Sequence, residues 1–315
     1  MKTISICIPC YNEEANIKPL LLDLDKELRP LRKKYNFEII VEDNASTDSS
    51  FEELQKLLPV IEGLKVIKNI SNYGPMKNGA YIMFQATGDA AIGLPCDGQV
   101  PLSLIAEYLY YWEQGFQVVF CQIEKSEEPA FMFRLRSAYY AIMNIFSYHN
   151  ELAHVTGSGL FDKKVLDIIG RLNEPEPNFR YLVTELGFKY KVIPYIQQNR
   201  KYGRSSYSII AYYNQAVDSF VAVGNKPIRY ILNFGVTLTA LSFIGLIYIT
   251  ISYQNAGENG LIIFLLAVVI FLLSVIILFI GLIGEYIGDC LKRLKHRPLV
   301  IEECRAGFND KLESK

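Results

Sequence analysis

Thr3-Ile4-Ser5-Ile6-Cys7-Ile8-Pro9-Cys10-Tyr11-Asn12-Glu13-Glu14 is the stretch that sets the reading of the chain. Its first half is a short β-branched run, a buried strand by pattern, and Pro9 stops it in a loop. Asn16 to Leu31 then carries Ile17, Leu20, Leu21, Leu24 and Leu28 at helical spacing. The pattern repeats outward: Phe37 to Val41 reads as a strand, followed by Glu42-Asp43-Asn44, with Ser46 and Thr47 as caps for a helix to about Leu58. Leu64 to Ile67 reads as a third strand, Lys77 to Gln85 as a helix and Ala90 to Leu94 as a fourth strand. This β-α-β-α order predicts an α/β, Rossmann-like fold with a mostly parallel sheet and right-handed crossovers. Ligands of such sheets sit beyond the carboxyl ends of the strands. Tyr11, Glu13, Asp43 and Asp97 all fall there.

The C-terminal part has a different composition. The chain has 315 residues, 50% of them hydrophobic, and up to about Lys226 charges recur as in a globular domain. No charged residue stands between Arg229 and Glu258, and none between Glu258 and Glu285. Each gap exceeds the roughly 20 apolar residues that cross about 30 Å of hydrocarbon. The expected organisation is a cytoplasmic α/β domain over 1–206, a juxtamembrane amphipathic segment over 207–229, transmembrane helices over 230–253 and 260–284, and a cytoplasmic tail over 285–315. Lys226 and Arg229 precede the hairpin, and Lys292, Arg293, Lys295, His296 and Arg297 follow it. By the positive-inside rule both termini face the cytoplasm, in the inner membrane. Met1-Lys2-Thr3-Ile4 is not expected to be a signal peptide, because the apolar run soon reaches Asn12, Glu13 and Glu14.

Composition also excludes some classes. With a net charge of −1 the chain lacks the basic stripe of a nucleic-acid binder. Six cysteines suit a reducing compartment. Cys7 and Cys10 form a C-x-x-C, but Cys7 stands inside the expected strand rather than at a helix start, which speaks against a redox pair. His149, His154 and His296 are too scattered for a metal site.

Acidic groups just past strand ends suit ribose hydroxyls, a base edge or a metal; the plainer alternative is turn residues and solvated acids. Taken together the two clusters resemble family 2 glycosyltransferases of the GT-A fold. The I-x-I-x-I-P-x-Y-N-E-E opening is similar to that family's start, and E-I-I-V-E-D-N-A-S-T-D to its second motif. The resemblance implies that Pro9 and Tyr11 flank a nucleotide, that Glu13 helps hold it and that Asp43 contacts the uracil or guanine base. Asn72-Tyr73-Gly74 through Ala86-Thr87-Gly88-Asp89 is similar to the block leading into the metal motif.

Leu94-Pro95-Cys96-Asp97-Gly98-Gln99-Val100-Pro101 lines up with the D-x-D-L-Q-D-P of the polyprenyl-phosphate branch. Pro95 and Val100 replace two of its aspartates; Asp97 and Gln99 remain. By this resemblance Asp97 is the metal ligand for Mg²⁺ or Mn²⁺ and Gln99 belongs to the nucleotide site. One carboxylate suffices where a diphosphate and waters complete the shell. Arg180 stands where the branch has R-F-L-R-G-L. Arg200 and Arg204, in Arg200-Lys201-Tyr202-Gly203-Arg204-Ser205-Ser206-Tyr207, are placed to bind phosphate through guanidinium forks; a basic patch attracted to anionic headgroups is the alternative. Leu282-Ile283-Gly284-Glu285-Tyr286-Ile287-Gly288, then Arg297-Pro298-Leu299, resembles the end of two-span bacterial polyprenyl-phosphate glycosyltransferases, relatives of dolichyl-phosphate mannose synthase.

The resemblance therefore implies an inverting, membrane-bound glycosyltransferase. Its donor would be a UDP- or GDP-linked nucleotide-sugar and its acceptor a polyprenyl phosphate such as undecaprenyl phosphate; a homo-oligomer is compatible with it. Asp97, Arg180, Arg200 and Arg204 are the expected catalytic residues. The alternatives are a catalytically silent nucleotide-binding membrane protein, favoured by Pro95, Val100 and Gly157, and a family 2 transferase with another acceptor.

Overall fold

The computed structural model describes residues 1–125, 152, 155–198, 258–294 and 297–308. The chain divides into one compact unit of Met1–Ala141, His149–Ser206 and His296–Lys315, and a second of Ile142–Tyr148 and Tyr207–Lys295.

The first unit is the expected α/β domain. Its elements are β1 (Lys2–Cys10), α1 (Glu14–Leu28), β2 (Tyr35–Asp43), α2 (Ser50–Leu57), β3 (Leu64–Asn69), α3 (Pro75–Phe84), β4 (Ala90–Gly93), α4 (Leu104–Glu113), β5 (Val118–Lys125), β6 (Val155–Asp162), α5 (Lys163–Arg171), α6 (Phe179–Glu185), β7 (Tyr190–Ile196) and, after the second unit, β8 (Glu302–Ala306). They form one eight-stranded sheet in the order β7-β5-β6-β4-β1-β2-β3-β8. β2, β1 and β4 run parallel, as do β2 with β3 and β5 with β7. β6 and β8 run against their neighbours.

Helices cover both faces, so the central strands are apolar on both sides rather than alternating. Ile4, Ile6, Ile8 and Cys10 of β1 enter one core with the Ile17, Leu21, Leu24 and Leu28 face of α1. Cys7 enters the other, with Ile82 of α3 and Val165 and Ile169 of α5. Successive strand residues alternate faces, so Cys7 and Cys10, three apart, point to opposite cores. The C-x-x-C is packing, as its place in a strand predicts.

Three expectations change in detail. β1 runs through Pro9 to Cys10, which pairs with Asp43 in register. The second helix begins at Ser50 rather than near Ser46, because the residues between bind the neighbouring loop instead. Part of the supposed tail belongs to the sheet: Glu302–Ala306 pairs antiparallel with β3. The backbone of that strand closes an edge that would otherwise leave unpaired amides.

Of the second unit, the structure describes α7 (Glu258–Leu294), a helix of 37 residues. It runs ten residues beyond the expected end at 284. The transmembrane hairpin itself is not shown. Its first limb, 230–253, lies outside the described residues. Among the described residues no helix offers a run long and apolar enough to cross a membrane.

Candidate active site

Two loops at the carboxyl edge of the sheet are laced together. After β1 the chain turns at Asn12, whose φ of 55° is left-handed, and after β2 at Ala45, with φ of 59°. Asn is among the residues that tolerate this conformation, because its short side chain bonds locally. Here Asn12 Oδ1 accepts from Thr47 N at 2.8 Å, and Asn12 N donates to Ser46 Oγ at 2.9 Å. Glu14 Oε2 accepts from Ser49 N at 3.0 Å, and Asn44 N donates to the Cys10 carbonyl at 2.9 Å. Asn12, Glu14, Ser46 and Thr47 are thus fasteners, which neither cap propensity nor solvation predicted.

These fasteners set the expected nucleotide residues side by side. Pro9 and Tyr11 bracket the end of β1. Glu13 precedes α1: its backbone N donates to Ser50 Oγ at 2.8 Å, and its carboxylate takes the Asn16 amide. Asp43 ends β2 fully buried. One of its oxygens accepts from Ser46 N at 3.3 Å, and the other, Oδ1, is buried with no hydrogen-bond partner. Burial raises the Asp43 pKa above the ordinary aspartate value, against the bonds from Ser46 and the charge of Lys68. An unmatched buried carboxylate oxygen is costly, and an N–H donor would satisfy it.

A second layer of amides stands behind Asp43. Asn69, wholly buried on β3, donates to Glu42 Oε1 at 2.8 Å, Asn78 Oδ1 at 3.0 Å and Asn44 Oδ1 at 3.2 Å. Asn44 in turn holds the next loop, accepting from Tyr73 N and donating to Asn72 Oδ1, both at 3.0 Å. Glu42 is buried beside this cluster with Oε2 unmatched. Desolvation pushes its carboxyl up to about 8, so it is mostly neutral near pH 7.

Asp97 arrives from β4. Leu94 N donates to the Cys7 carbonyl at 2.9 Å, which continues the β1–β4 pairing past Gly93. The thiols of Cys10 and Cys96, both buried, then meet. Cys10 also lies opposite Asp43 in register. Asp43 and Asp97 therefore flank the end of one strand. Asp97 sits in a tight turn: its Oδ1 accepts from Gln99 N at 3.1 Å, and Gly98 between them has φ of 69°. That left-handed geometry suits glycine.

Gln99 does something the sequence did not suggest. Its side-chain oxygen accepts from Gln197 Nε2 at 3.1 Å, and its carbonyl accepts from Gln198 N at 3.1 Å. Arg180, on α6, donates to the Val155 carbonyl at 3.0 Å. Val155 opens β6, and β6 runs against β4 with Gly159 opposite Gly93, so Arg180 also stands at the carboxyl edge of β4. Arg200 and Arg204 lie outside the described residues.

As a metal site, the residues supply one carboxylate where Pro95 removes the second. Among the described residues no group of three or more His, Cys, Asp or Glu side chains could hold an ion. Asp97 together with a diphosphate fits Mg²⁺ or Mn²⁺, which bind through one or two carboxylates plus phosphate.

The A-T-G-D block proves to be scaffold at the opposite edge. Thr87 N and Oγ1 both donate to Glu38, at 2.7 and 2.9 Å, and Asp89 Oδ2 accepts from Thr3 N at 2.8 Å. A Cβ at Gly88 would stand 2.6 Å from the Thr3 carbonyl oxygen, so this position admits no side chain.

Comparison with known proteins bears on the family and the fold. Residues 5–170 match the model of the glycosyl transferase family 2. The chain is 27% identical to the uncharacterized glycosyltransferase YkcC of Bacillus subtilis, covering 98% of this chain and 95% of that protein. It is 25% identical to the bactoprenol glucosyl transferase of Shigella phage SfV, covering 95% and 97%. Glucosyl-3-phosphoglycerate synthase from Mycobacterium tuberculosis, solved with Mn²⁺, UDP and glucosyl-3-phosphoglycerate, superposes with a TM-score of 0.50 at 16% identity, over 70% of this chain and 79% of that one. That likeness speaks to the GT-A-like fold alone. With more than half its length matched, the chain belongs to glycosyl transferase family 2.

Proposed function

We propose that this protein transfers a sugar from a UDP- or GDP-linked donor to a polyprenyl phosphate at a membrane surface, with inversion at the anomeric carbon. The reading is supported by buried Asp43, whose Oδ1 is unmatched and which lies in register with Cys10 at the end of β1, and by the Cys10 thiol bonding that of Cys96, the residue before Asp97. Asp43 receives the ring N–H of the donor's base, Pro9 and Tyr11 border it, and Glu13 lies beside it. The lipid acceptor is supported by the bactoprenol transferase's likeness along 95% of the chain. A membrane setting is supported by the exposed Ile262, Leu265, Val269, Ile276, Ile280 and Ile283 along α7, and termini on the cytoplasmic side by the basic residues Lys226, Arg229, Lys292, Arg293, Lys295 and Arg297 in the sequence.

In the reaction an oxygen of the lipid phosphate attacks the anomeric carbon as the bond to the donor's diphosphate breaks on the opposite face. The acceptor is already anionic near pH 7, so a strong general base is not needed. Rate comes from positioning and from neutralising the leaving diphosphate. Arg180, oriented by the Val155 carbonyl, serves that purpose, with Arg200 and Arg204 as the further phosphate ligands the sequence names. Asp97 together with the donor's diphosphate would hold Mg²⁺ or Mn²⁺, which supplies charge neutralisation.

The test is to incubate membranes containing the protein with a panel of nucleotide-sugars and analyse the lipid-phosphate fraction by mass spectrometry. One glycosylated polyprenyl phosphate is expected. The single-carboxylate metal motif favours one second reading, a nucleotide-binding protein without activity; donor-induced thermal stabilisation with no product would establish it.

A further inference from the structure

We propose that Glu42 works as a neutral carboxylic acid that donates its hydroxyl to the Asn69 amide oxygen, and that this pair positions the turn after Asp43 for the donor's base. The second half rests on the nucleotide site proposed above; the first half stands on the buried cluster alone.

The cluster is short of hydrogens. Asn69 Nδ2 has a pair to give, yet Glu42 Oε1 at 2.8 Å, Asn78 Oδ1 at 3.0 Å and Asn44 Oδ1 at 3.2 Å all face it. Glu42 Oε2 and Asn69 Oδ1 are buried besides, with no hydrogen-bond partner. Turning the Asn69 amide over only aims its oxygen at the other oxygens. One proton on Glu42 Oε2 answers both deficits. A carboxylic acid and a primary amide each carry a donor beside an acceptor, so the amide N–H to Oε1 and the acid O–H to Oδ1 close a ring. In the ionised form both oxygens only accept, and each stays unmatched on a fully buried side chain, which is costly. The surrounding charges agree. Glu302 and Arg305 of β8 and Asp43 of the same strand act on Glu42, and of these only Arg305 favours ionisation. Arg305 is shared with Glu302 and Gln85, and Tyr81 of α3 donates to Glu302. The Cys7 thiol of β1 is pushed up by burial and stays neutral. The pair reaches the site through Asn44, which Asn69 also binds. Asn44 follows Asp43; its N donates to the Cys10 carbonyl, and its side chain holds Asn72 and Tyr73 N of the next loop. Disturbing Asn69 therefore disturbs the turn that begins at Asp43.

Glu42→Gln keeps the ring, because its amide donates where the acid hydroxyl did; Glu42→Leu keeps the bulk and removes both bonds. The full chain in detergent is compared for UDP and GDP affinity by calorimetry and for its carboxyl bands by infrared spectroscopy. The pH range brackets the value of about 8 to which burial raises Glu42. The difference between wild type and Glu42→Gln should show a protonated carboxyl on the acid side that gives way to carboxylate above about 8. In Asn69→Leu that band should shift, having lost its acceptor. On the acid side Glu42→Gln should bind nucleotide within about twofold of wild type, and Glu42→Leu about tenfold more weakly. Above the transition wild-type affinity should fall toward that of Glu42→Leu, while Glu42→Gln keeps its own. A carboxylate already present on the acid side overturns the pair, and a band unmoved in Asn69→Leu overturns the bond to Asn69. Unchanged affinity in Glu42→Leu overturns the positioning role. Parallel pH profiles for wild type and Glu42→Gln do the same, and they decide the matter where Glu42→Leu does not fold. Weak binding by Glu42→Gln at every pH makes the carboxylate the needed group and also overturns the proposal. If the wild type binds neither UDP nor GDP, the proposed function fails, while the infrared bands still decide the acid–amide pair.

Discussion

At the scale of single residues, the proposed chemistry rests on the carboxyl groups of Asp97 and Asp43, with the buried Glu42 next to Asp43 in sequence. Asp97 sits in a turn with its Oδ1 bonded to a backbone N–H. Asp97→Ala should lower transfer by about a hundredfold or more, as loss of a key charge-stabilising group does, while circular dichroism and melting temperature stay unchanged. Asp43 is buried with one oxygen unmatched. Asp43→Ala should weaken donor binding by roughly 1.5–3 kcal/mol, the usual worth of a hydrogen bond to a charged group, measurable by calorimetry with UDP and GDP. Glu42 is held neutral by burial, with Glu302 and Asp43 adding to the rise and Asn69 and Arg305 opposing it. Its folded pKa lies above the ordinary 4.5, so the folded protein binds the proton more tightly than the unfolded chain. The resulting stability is complete below about 4.5 and is lost as pH rises toward about 8. Glu42→Gln should flatten the decline of melting temperature across that window; an unchanged slope would assign the decline to other groups.

At the scale of elements, two polar clusters hold the sheet from opposite edges. Glu38 of β2, almost wholly buried, accepts from Ser5 on β1, from Lys65 on β3 at 2.6 Å, and from Thr87 before β4. Burial pushes the Glu38 carboxyl up, but these bonds outweigh it and hold the group below its ordinary value. Its stabilisation is therefore present above the ordinary pKa and lost as pH falls through the lowered one. Glu38→Ala leaves Lys65, Ser5 and two donors of Thr87 without their acceptor. It should cost about 3–5 kcal/mol, as breaking a buried ion pair does, read from denaturant unfolding of the detergent-solubilised protein. The other cluster ties β8 to α3: Tyr81 donates to Glu302 at 2.7 Å, and Arg305 bonds Gln85 at 2.7 Å. Lys68 pairs with Glu303 at 3.0 Å. Composition gave no hint that these charges belong to a strand, because the segment alternates no apolar face.

At the scale of the molecule, a charged α/β unit and the 37-residue helix α7, with exposed aliphatic side chains along it, share one chain. We expect the protein to sediment with membranes and to resist carbonate extraction. Lysine at Ile276 or Ile280, both exposed on α7, should each cost about 2.5–3.5 kcal/mol of insertion and move protein to the soluble fraction. Unchanged partitioning of a double lysine variant would count against a bilayer position for this helix.

The sequence by itself determined the order of strands and helices through β4, the placement of Tyr11, Glu13, Asp43 and Asp97 at one edge, and the family. These follow from local periodicity and from motifs a few residues long, which need no knowledge of distant neighbours. Only the tertiary structure decided that Asn12 and Ser46 are fasteners, that Thr87 and Asp89 brace the far edge, that Gln99 grips Gln197, and that Glu302–Ala306 completes the sheet. Each of those roles depends on a partner remote in sequence, Tyr81 and Glu302 being 221 residues apart. A polar side chain looks the same in a sequence whether water, a ligand or another strand accepts its hydrogen bond. The fold alone chooses among them.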